Sequence, residues 1–288
     1  MTRGFDHLVL VSRDLAAQAD FYTKLGFTLT PRAQHPWGTA NHLAQMQGVF
    51  LELLGLPSSA GVAEHGEAAF SFGAFTRDYL AAREGMSMLV FQTDDAAADR
   101  KVWQARGLRT WDLFQFKRQA PQPDGSAVPV AFSLAFATLP QAPQAGFFVC
   151  QQHYPENFWR PRFQQHANGA QGVPTVWMVA REPQAYVDFF RRMIGEDSPR
   201  LVNGALHVAC GRSELVMLDP ASYAQRFPGL QWPDDGSEPR FAGYAVTADI
   251  ERCRDRLGSA AISFRDDGSS LRLDPKTAFG CVVEIVAG

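Results

Sequence analysis

Short apolar runs along the chain are each followed by a capping acid, an amphipathic stretch and a glycine, and this grammar occurs four times. The first run spans His7 to Ser12. Asp14 is then placed to cap a helix that carries Leu15, Ala19, Tyr22 and Leu25 on one face and stops at Gly26. The second passes from Met88 through Val90 and Phe91 to Asp95, continues over Val102 and Trp103, and closes at Gly107. The same spacing separates Asp14 from Gly26 and Asp95 from Gly107. The third runs from Thr175 to Glu182, with Pro183 suited to a first helical position and Val187, Phe190 and Ile194 leading to Gly195. The fourth goes from Gly243 to Thr247 into a shorter helix holding Ile250, Cys253 and Leu257, closed by Gly258.

Strand-like sequence follows each glycine, and each unit ends on an alternating or apolar run: Val49 to Leu54, Gly146 to Gln151, Glu214 to Leu218, and Gly280 to Val286. A strand–helix–strands unit of about fifty residues buries only one face of its sheet, so the units must cover one another in pairs. The expected fold is α+β, four tandem βαβββ modules forming two barrel-like halves, residues 1–165 and 166–288. Their connection is expected between Tyr154 and Gly172, where Pro155, Pro161, Asn168 and Gly169 interrupt regular structure. Two inserts stand out in the first half. Residues 58–85 contain an extra helix from Phe75 to Glu84, and residues 119–129, rich in Pro and Gln, read as a loop.

Composition narrows the partners. The chain is 46% hydrophobic and 20% charged with a net charge of -3, which is ordinary for a globular protein and argues against disorder or a nucleic-acid surface. No apolar run approaches the roughly 20 residues that a membrane-spanning helix needs, and the N-terminus has no signal-like stretch. A cytoplasmic monomer or homodimer acting on a small molecule, with no nucleic-acid or membrane partner, is expected. The four cysteines, Cys150, Cys210, Cys253 and Cys281, form no CxxC pair and read as small buried hydrophobes. The 22 phenylalanines suit bulky cores and equally an apolar ligand cavity.

The opening strand His7 to Leu15, the helix end Phe21 to Phe27 and the strand Gly48 to Leu53 together resemble the first module of a glyoxalase-like domain. Such domains belong to the vicinal oxygen chelate superfamily, which includes glyoxalase I, extradiol dioxygenases, fosfomycin-resistance enzymes and bleomycin-binding proteins. The likeness extends over nearly the whole chain and implies glyoxalase-fold halves. In metal-dependent members the ligands come from the first and last strands of paired modules, a His at the first position and a Glu or Gln at the last. His7 and Glu52 match in module one. Met88 and Cys150 stand at the corresponding places of module two, Thr175 and Leu215 of module three, and Ala242 and Glu284 of module four.

Module pairing therefore decides what the resemblance implies. If modules one and four pair, His7, Glu52 and Glu284 form a triad for one divalent metal, Ni, Zn, Mn or Fe. If modules one and two pair, only His7 and Glu52 are ligand-like, with Cys150 or His153 left to complete a set. A metal-free acid/base pair of Glu52 and His7 is the other reading. The second half lacks histidines at the starts of its modules, which speaks against an extradiol dioxygenase.

Among apolar neighbours Glu52 needs a partner, because an unpaired buried carboxylate is costly. The segment from His35 to His42 puts Asn41 on the face of Glu52, a place for substrate contact shared with Trp37. The run from Cys150 to Trp159 gathers polar and aromatic groups after a strand, so Cys150, His153 and Trp159 are expected around a cavity. The functional expectation is a glyoxalase-like lyase or isomerase acting on a small oxygen-rich substrate through an enediolate-type intermediate. The alternative is a non-catalytic protein that sequesters an aromatic or drug-like molecule.

Overall fold

In the computed structural model, which describes residues 3–59, 61–121 and 127–288, the four apolar runs become the first strands of four units. The first unit comprises β1 (Phe5–Ser12), α1 (Leu15–Lys24), β2 (Ala33–Gln34), β3 (Ala40–Gln45) and β4 (Phe50–Gly55). Helix α2 (Phe72–Ala82) leads into the second: β5 (Gly85–Gln92), α3 (Ala96–Ala105), β6 (Arg109–Thr110), β7 (Phe114–Pro121), β8 (Ala127–Thr138) and β9 (Gly146–Gln152). A one-turn helix, α4 (Pro155–Phe158), lies in the connection that follows. The third unit holds β10 (Thr175–Val179), α5 (Val187–Met193), β11 (Pro199–Val202), β12 (Ala205–Cys210) and β13 (Ser213–Leu218). After α6 (Pro220–Arg226) the fourth consists of β14 (Arg240–Ala248), α7 (Ile250–Ser259), β15 (Arg265–Asp266), β16 (Ser270–Leu273) and β17 (Val282–Ala287).

Local chemistry explains the helix boundaries. The carboxylates of Asp14 and Asp95 each accept the backbone N–H three residues on, at 2.9 Å, and Asp249 does the same at 3.1 Å. Glu182 makes no such bond, and Pro183 opens a 3-10 turn before α5. Gly26 and Gly107 follow their helices at φ +97° and +75°, a region that side chains with a Cβ resist. Module four differs from expectation. Gly258 lies inside α7, and the left-handed turn is taken by Ala261 at φ 52°. The extra helix begins at Phe72 rather than Phe75, because the Ser71 hydroxyl accepts the Ala74 N–H at 3.1 Å. Most of the span expected as a loop at 119–129 is instead a hairpin, since β7 and β8 pair from Phe114 with Leu134 to Pro121 with Ala127. The remaining 122–126 lie outside the described residues.

Modules one and two form one sheet, in the order β2-β3-β4-β1-β5-β9-β8-β6 with β7 added on β8, and modules three and four form the other, β11-β12-β13-β10-β14-β17-β16-β15. The first strands of each pair run antiparallel, β1 with β5 and β10 with β14. The pairing is thus one with two and three with four, and the convergence of modules one and four is not found. Neither sheet closes on itself, so the halves are open sheets rather than barrels.

One face of each sheet shares a single core with the helices. Leu8, Leu10, Leu51 and Leu53 from the first sheet and Val176, Met178, Leu215 and Met217 from the second belong to it, with Tyr22, Trp103, Phe190 and Leu257 from the helices. Leu215 therefore turns away from the face on which its counterpart Glu52 lies. Two contacts from the helices join the halves: the Trp103 indole N–H of α3 donates to the Met193 carbonyl of α5 at 3.0 Å, and the hydroxyls of Tyr22 on α1 and Tyr244 on β14 bond to one another. Fully burying each such large side chain contributes about 1.5–3 kcal/mol. The opposite faces carry two separate clusters. Val9, Val11, Met88 and Val90 line the first, and Trp177, Val179, Val216 and Val282 the second. No helix among the described residues is long and apolar enough to cross a membrane.

Candidate functional site

Strand alternation puts His7, Val9 and Val11 of β1 on the same face as Phe50, Glu52 and Leu54 of β4, since Val9 pairs with Glu52 and His7 with Phe50. All of these but Val11 form one wall of a cavity of about 290 Å³ in the first half. Asp6 departs from the alternation. Phe5 pairs with Phe91 and His7 with the adjacent Val90, leaving Asp6 as an extra residue in a β-bulge. A bulge can bring consecutive side chains to one side of a strand. Here Asp6 Oδ1 accepts from His7 Nδ1 at 2.6 Å, and Asp6 Oδ2 accepts from Gln152 Nε2 at 2.8 Å.

The Asp6 bond assigns the imidazole. With Nδ1–H committed to a buried carboxylate, Nε2 is the free nitrogen. Stacking of the ring on Phe50, at a centroid distance of 4.4 Å and 13° between planes, fixes its orientation. Nε2 lies 3.8 Å from Glu52 Oε2, beyond hydrogen-bond reach, so the two groups face the cavity side by side without a bond between them. The partner expected for Glu52 is Asn41, whose Nδ2 donates to Oε1 at 2.6 Å. That side chain is 15% exposed and opens on the cavity. His35 closes the row, its Nδ1 at 2.8 Å from Thr39 Oγ1 and its ring stacked on Trp37 at 4.7 Å. Burial lowers the His35 pKa. Glu52 opposes that shift and Arg118 reinforces it, so His35 feels both groups.

The rest of the wall is aromatic. Trp37, Phe72, Phe114, Phe116, Phe132 and Phe148 all line the cavity. Its roof comes from the connection between the halves. Gln45 anchors that segment, donating from Nε2 to the Phe158 carbonyl at 2.9 Å and accepting the Arg160 N–H at 3.0 Å. Further along, His166 Nε2–H donates to the Gln45 carbonyl at 2.7 Å while Nδ1 accepts the Thr28 N–H at 3.0 Å.

Of the residues singled out in the sequence, His7, Glu52, Asn41, Trp37 and Cys150 meet at this cavity. His153 does not. It is exposed at the end of β9, with Nε2 at 2.8 Å from Ser133 Oγ, because its backbone N–H continues the ladder to Ala131 and turns it off the cavity wall. Trp159 packs behind the lining on Phe50 and Phe158, at 5.8 and 5.2 Å. Glu284 lies elsewhere altogether. It sits on β17 of the second sheet, 4% exposed, with Oε1 accepting from Arg226 Nη1 at 3.0 Å. Arg226 stacks in turn over Trp177 at 5.2 Å and Phe227 at 4.8 Å. On the open face of the second sheet Trp177, Tyr223, Phe227 and Trp232 pack against one another.

The metal that the resemblance implies would need donors from modules one and two together. His7 Nε2 and Glu52 Oε2 are suitable, but Met88 and Cys150 occupy the module-two positions. The Cys150 thiol is pushed well above its ordinary pKa by burial, with Asp6 and Glu52 adding to the effect. This opposes the thiolate that a metal requires. Among the described residues no group of three or more His, Cys, Asp or Glu side chains is arranged to hold a metal. The donor set does not fit that of the metal-dependent members.

Asp6 and Arg118 were not anticipated. Asp6 is detectable only as an acid out of phase in an apolar strand. Arg118 shares the alternation of Phe114 and Phe116 in β7.

Residues 5–194 match the model of a family described as glyoxalase-like domain. No match was found among curated proteins. A hypothetical protein from Staphylococcus aureus has the same fold, with a TM-score of 0.70 at 12% identity, over 99% of this chain and 100% of that one. A xylose isomerase-like TIM barrel/4-hydroxyphenylpyruvate dioxygenase fusion protein matches at TM-score 0.55 and 12% identity, over 100% of this chain and 49% of the fusion. A mutant 4-hydroxymandelate synthase from Streptomyces coelicolor matches at 0.52 and 10%, over 99% and 92%. At such identities these likenesses establish the fold alone.

Proposed function

As the chain belongs to the glyoxalase-like domain family of the vicinal oxygen chelate superfamily, we propose that its first-half cavity catalyses proton transfer on a small carbonyl compound, as a lyase or isomerase. The observation that carries this reading is the 2.6 Å bond from His7 to Asp6, which leaves Nε2 as a base facing the cavity beside Glu52.

The chemistry is routed through side chains. His7 Nε2 withdraws the proton from a carbon next to the substrate carbonyl, and the imidazolium so formed is stabilised by the Asp6 carboxylate. Its new Nε2–H faces the oxygen on which negative charge develops. Glu52, held by Asn41, relays a hydroxyl proton between neighbouring oxygens. His7 then returns its proton to the adjacent carbon. The net change is an isomerisation through an enediol, with no oxidant or reductant consumed. A roof pinned by Gln45 keeps water from the intermediate.

The test is proton exchange at the hydroxymethylene carbon of 2-hydroxyacetophenone in D2O, followed by NMR. Protein treated with a chelator accelerates the exchange. His7→Gln and Glu52→Gln each reduce it about 10²- to 10⁴-fold, the usual contribution of a general base. No acceleration, or acceleration untouched by either substitution, contradicts the proposal. The aromatic walls favour a second reading, sequestration of an apolar ligand without chemistry. It predicts tight ligand binding, no exchange, and indifference to His7→Gln.

A further inference from the structure

Arg118 occupies an unusual place on the cavity wall. Strand β7 alternates Phe114, Phe116, Arg118 and Ala120 towards the cavity, while Gln115, Lys117 and Gln119 are exposed on its other face. A guanidinium thus stands where the pattern places apolar side chains. It is only partly accessible, and burial lowers its pKa from the ordinary arginine value. A partly desolvated charge is costly unless it is paired.

Its neighbours at the cavity mouth are already engaged. Arg160 donates from Nε to the Asn157 carbonyl at 3.1 Å, Arg162 stacks over Phe163 at 4.6 Å, and Arg32 reaches Gln34 Oε1 at 3.3 Å. The Arg118 guanidinium makes no hydrogen bond or ion pair among the described residues, and Glu52 is the one carboxylate among those lining the cavity. Asn41 already binds Glu52, and His35 lies within reach of the fields of both Glu52 and Arg118. His35 thus shares the wall with both Glu52 and Arg118, and Trp37 and Phe116 pack against its ring at 4.7 and 6.3 Å.

We propose that Arg118 is the anion-recognising residue of this cavity, and that the ligand is an aromatic or apolar carboxylate. Its acid group pairs with the Arg118 fork, its body lies on Trp37 and Phe116, and its other end lies by His7 and Glu52. An Arg fork takes a carboxylate through two parallel N–H···O bonds, and the aromatic surroundings keep that pair partly out of water. The arginines at the mouth add a positive field that steers an anion inward, in a chain whose net charge is -3. This inference deepens the proposed function by naming the ligand class of the same cavity.

Calorimetric titration with 2-naphthoate, its neutral isostere 2-naphthamide and the cation 2-naphthylmethylammonium tests it. Intact protein is expected to bind the carboxylate about tenfold or more tighter than the amide, since a charge-assisted pair is worth that much. The cation is expected to bind weakest, and added salt to narrow the preference. Arg118→Gln abolishes the preference, whereas Arg118→Lys keeps part of it. Equal binding of carboxylate and amide to the intact protein overturns the proposal. So does a preference that persists in Arg118→Gln, or, should that variant not fold, one that Arg118→Lys leaves at full strength. His7→Gln separates this inference from the catalytic reading. Carboxylate preference without any proton exchange removes the catalysis and retains the recognition, and exchange without carboxylate preference does the reverse.

Discussion

Asp6 and His7 are neighbours in sequence, yet the bulge in β1 lets the carboxylate of one hold the ring of the other at 2.6 Å. This relationship sets which imidazole nitrogen faces the cavity, and with it the chemistry. In regular pairing Asp6 would face the helical layer with Leu8 and Leu10, among apolar side chains that offer a carboxylate no partner.

Asn41 is predicted to position Glu52. Asn41→Leu removes the donor at 2.6 Å from Oε1 and leaves a mostly buried carboxylate without it, at a cost of about 1–3 kcal/mol to whichever state needs that carboxylate in place. Proton exchange should fall about tenfold or more, with the rate constant reduced more than the apparent affinity. Kinetics at saturating and limiting substrate check this, and an unchanged rate constant would remove Asn41 from that role.

Stability should fall on mild acidification. Burial lowers the pKa values of His35 and His166, so between those values and the unfolded one, about 6.5, the unfolded chain binds more protons. The resulting stabilisation is present above pH 6.5 and is lost as pH drops below it. His166 has a specific reason to lose it, because protonation of Nδ1 destroys the acceptor for the Thr28 N–H. Denaturant unfolding from pH 8 to 5 should show the decline, smaller in His166→Gln, while a stability rising towards pH 5 would contradict the assignment.

Much of this was legible in the chain and some of it was not. The capping acids and the alternation in β1 and β4 are local signals, and they led to His7, Glu52 and Asn41 on one wall. Asp6 escaped because alternation assigns it to the wrong face unless the bulge is known, and a bulge depends on the register with β5. Arg118 escaped because the neighbouring Pro- and Gln-rich sequence reads as a loop, whereas pairing with β8 extends the strand. Glu284 misled in the opposite way. Its surroundings, Gly280 to Glu284, copy Gly48 to Glu52, but its partner Arg226 comes from a helix whose docking no local pattern records.

That pair is expected to be structural. Arg226→Met would strand the buried Glu284 carboxylate and destabilise the protein by about 2 kcal/mol, a value discounted because Arg226 is 43% exposed. Ligand binding in the first-half cavity should remain within twofold, roughly the noise for distant independent sites. Thermal unfolding beside calorimetry reads both. Lost ligand binding in the folded variant would return Glu284 to the functional site.

The most direct test of the whole account is the protonation of one ring. A long-range 1H–15N spectrum of histidine-labelled protein at neutral pH should show His7 as the Nδ1–H tautomer with an unprotonated Nε2, and Asp6→Asn should abolish that preference together with proton exchange. A His7 ring protonated at Nε2 alone, or a tautomer unaffected by Asp6→Asn, would contradict it.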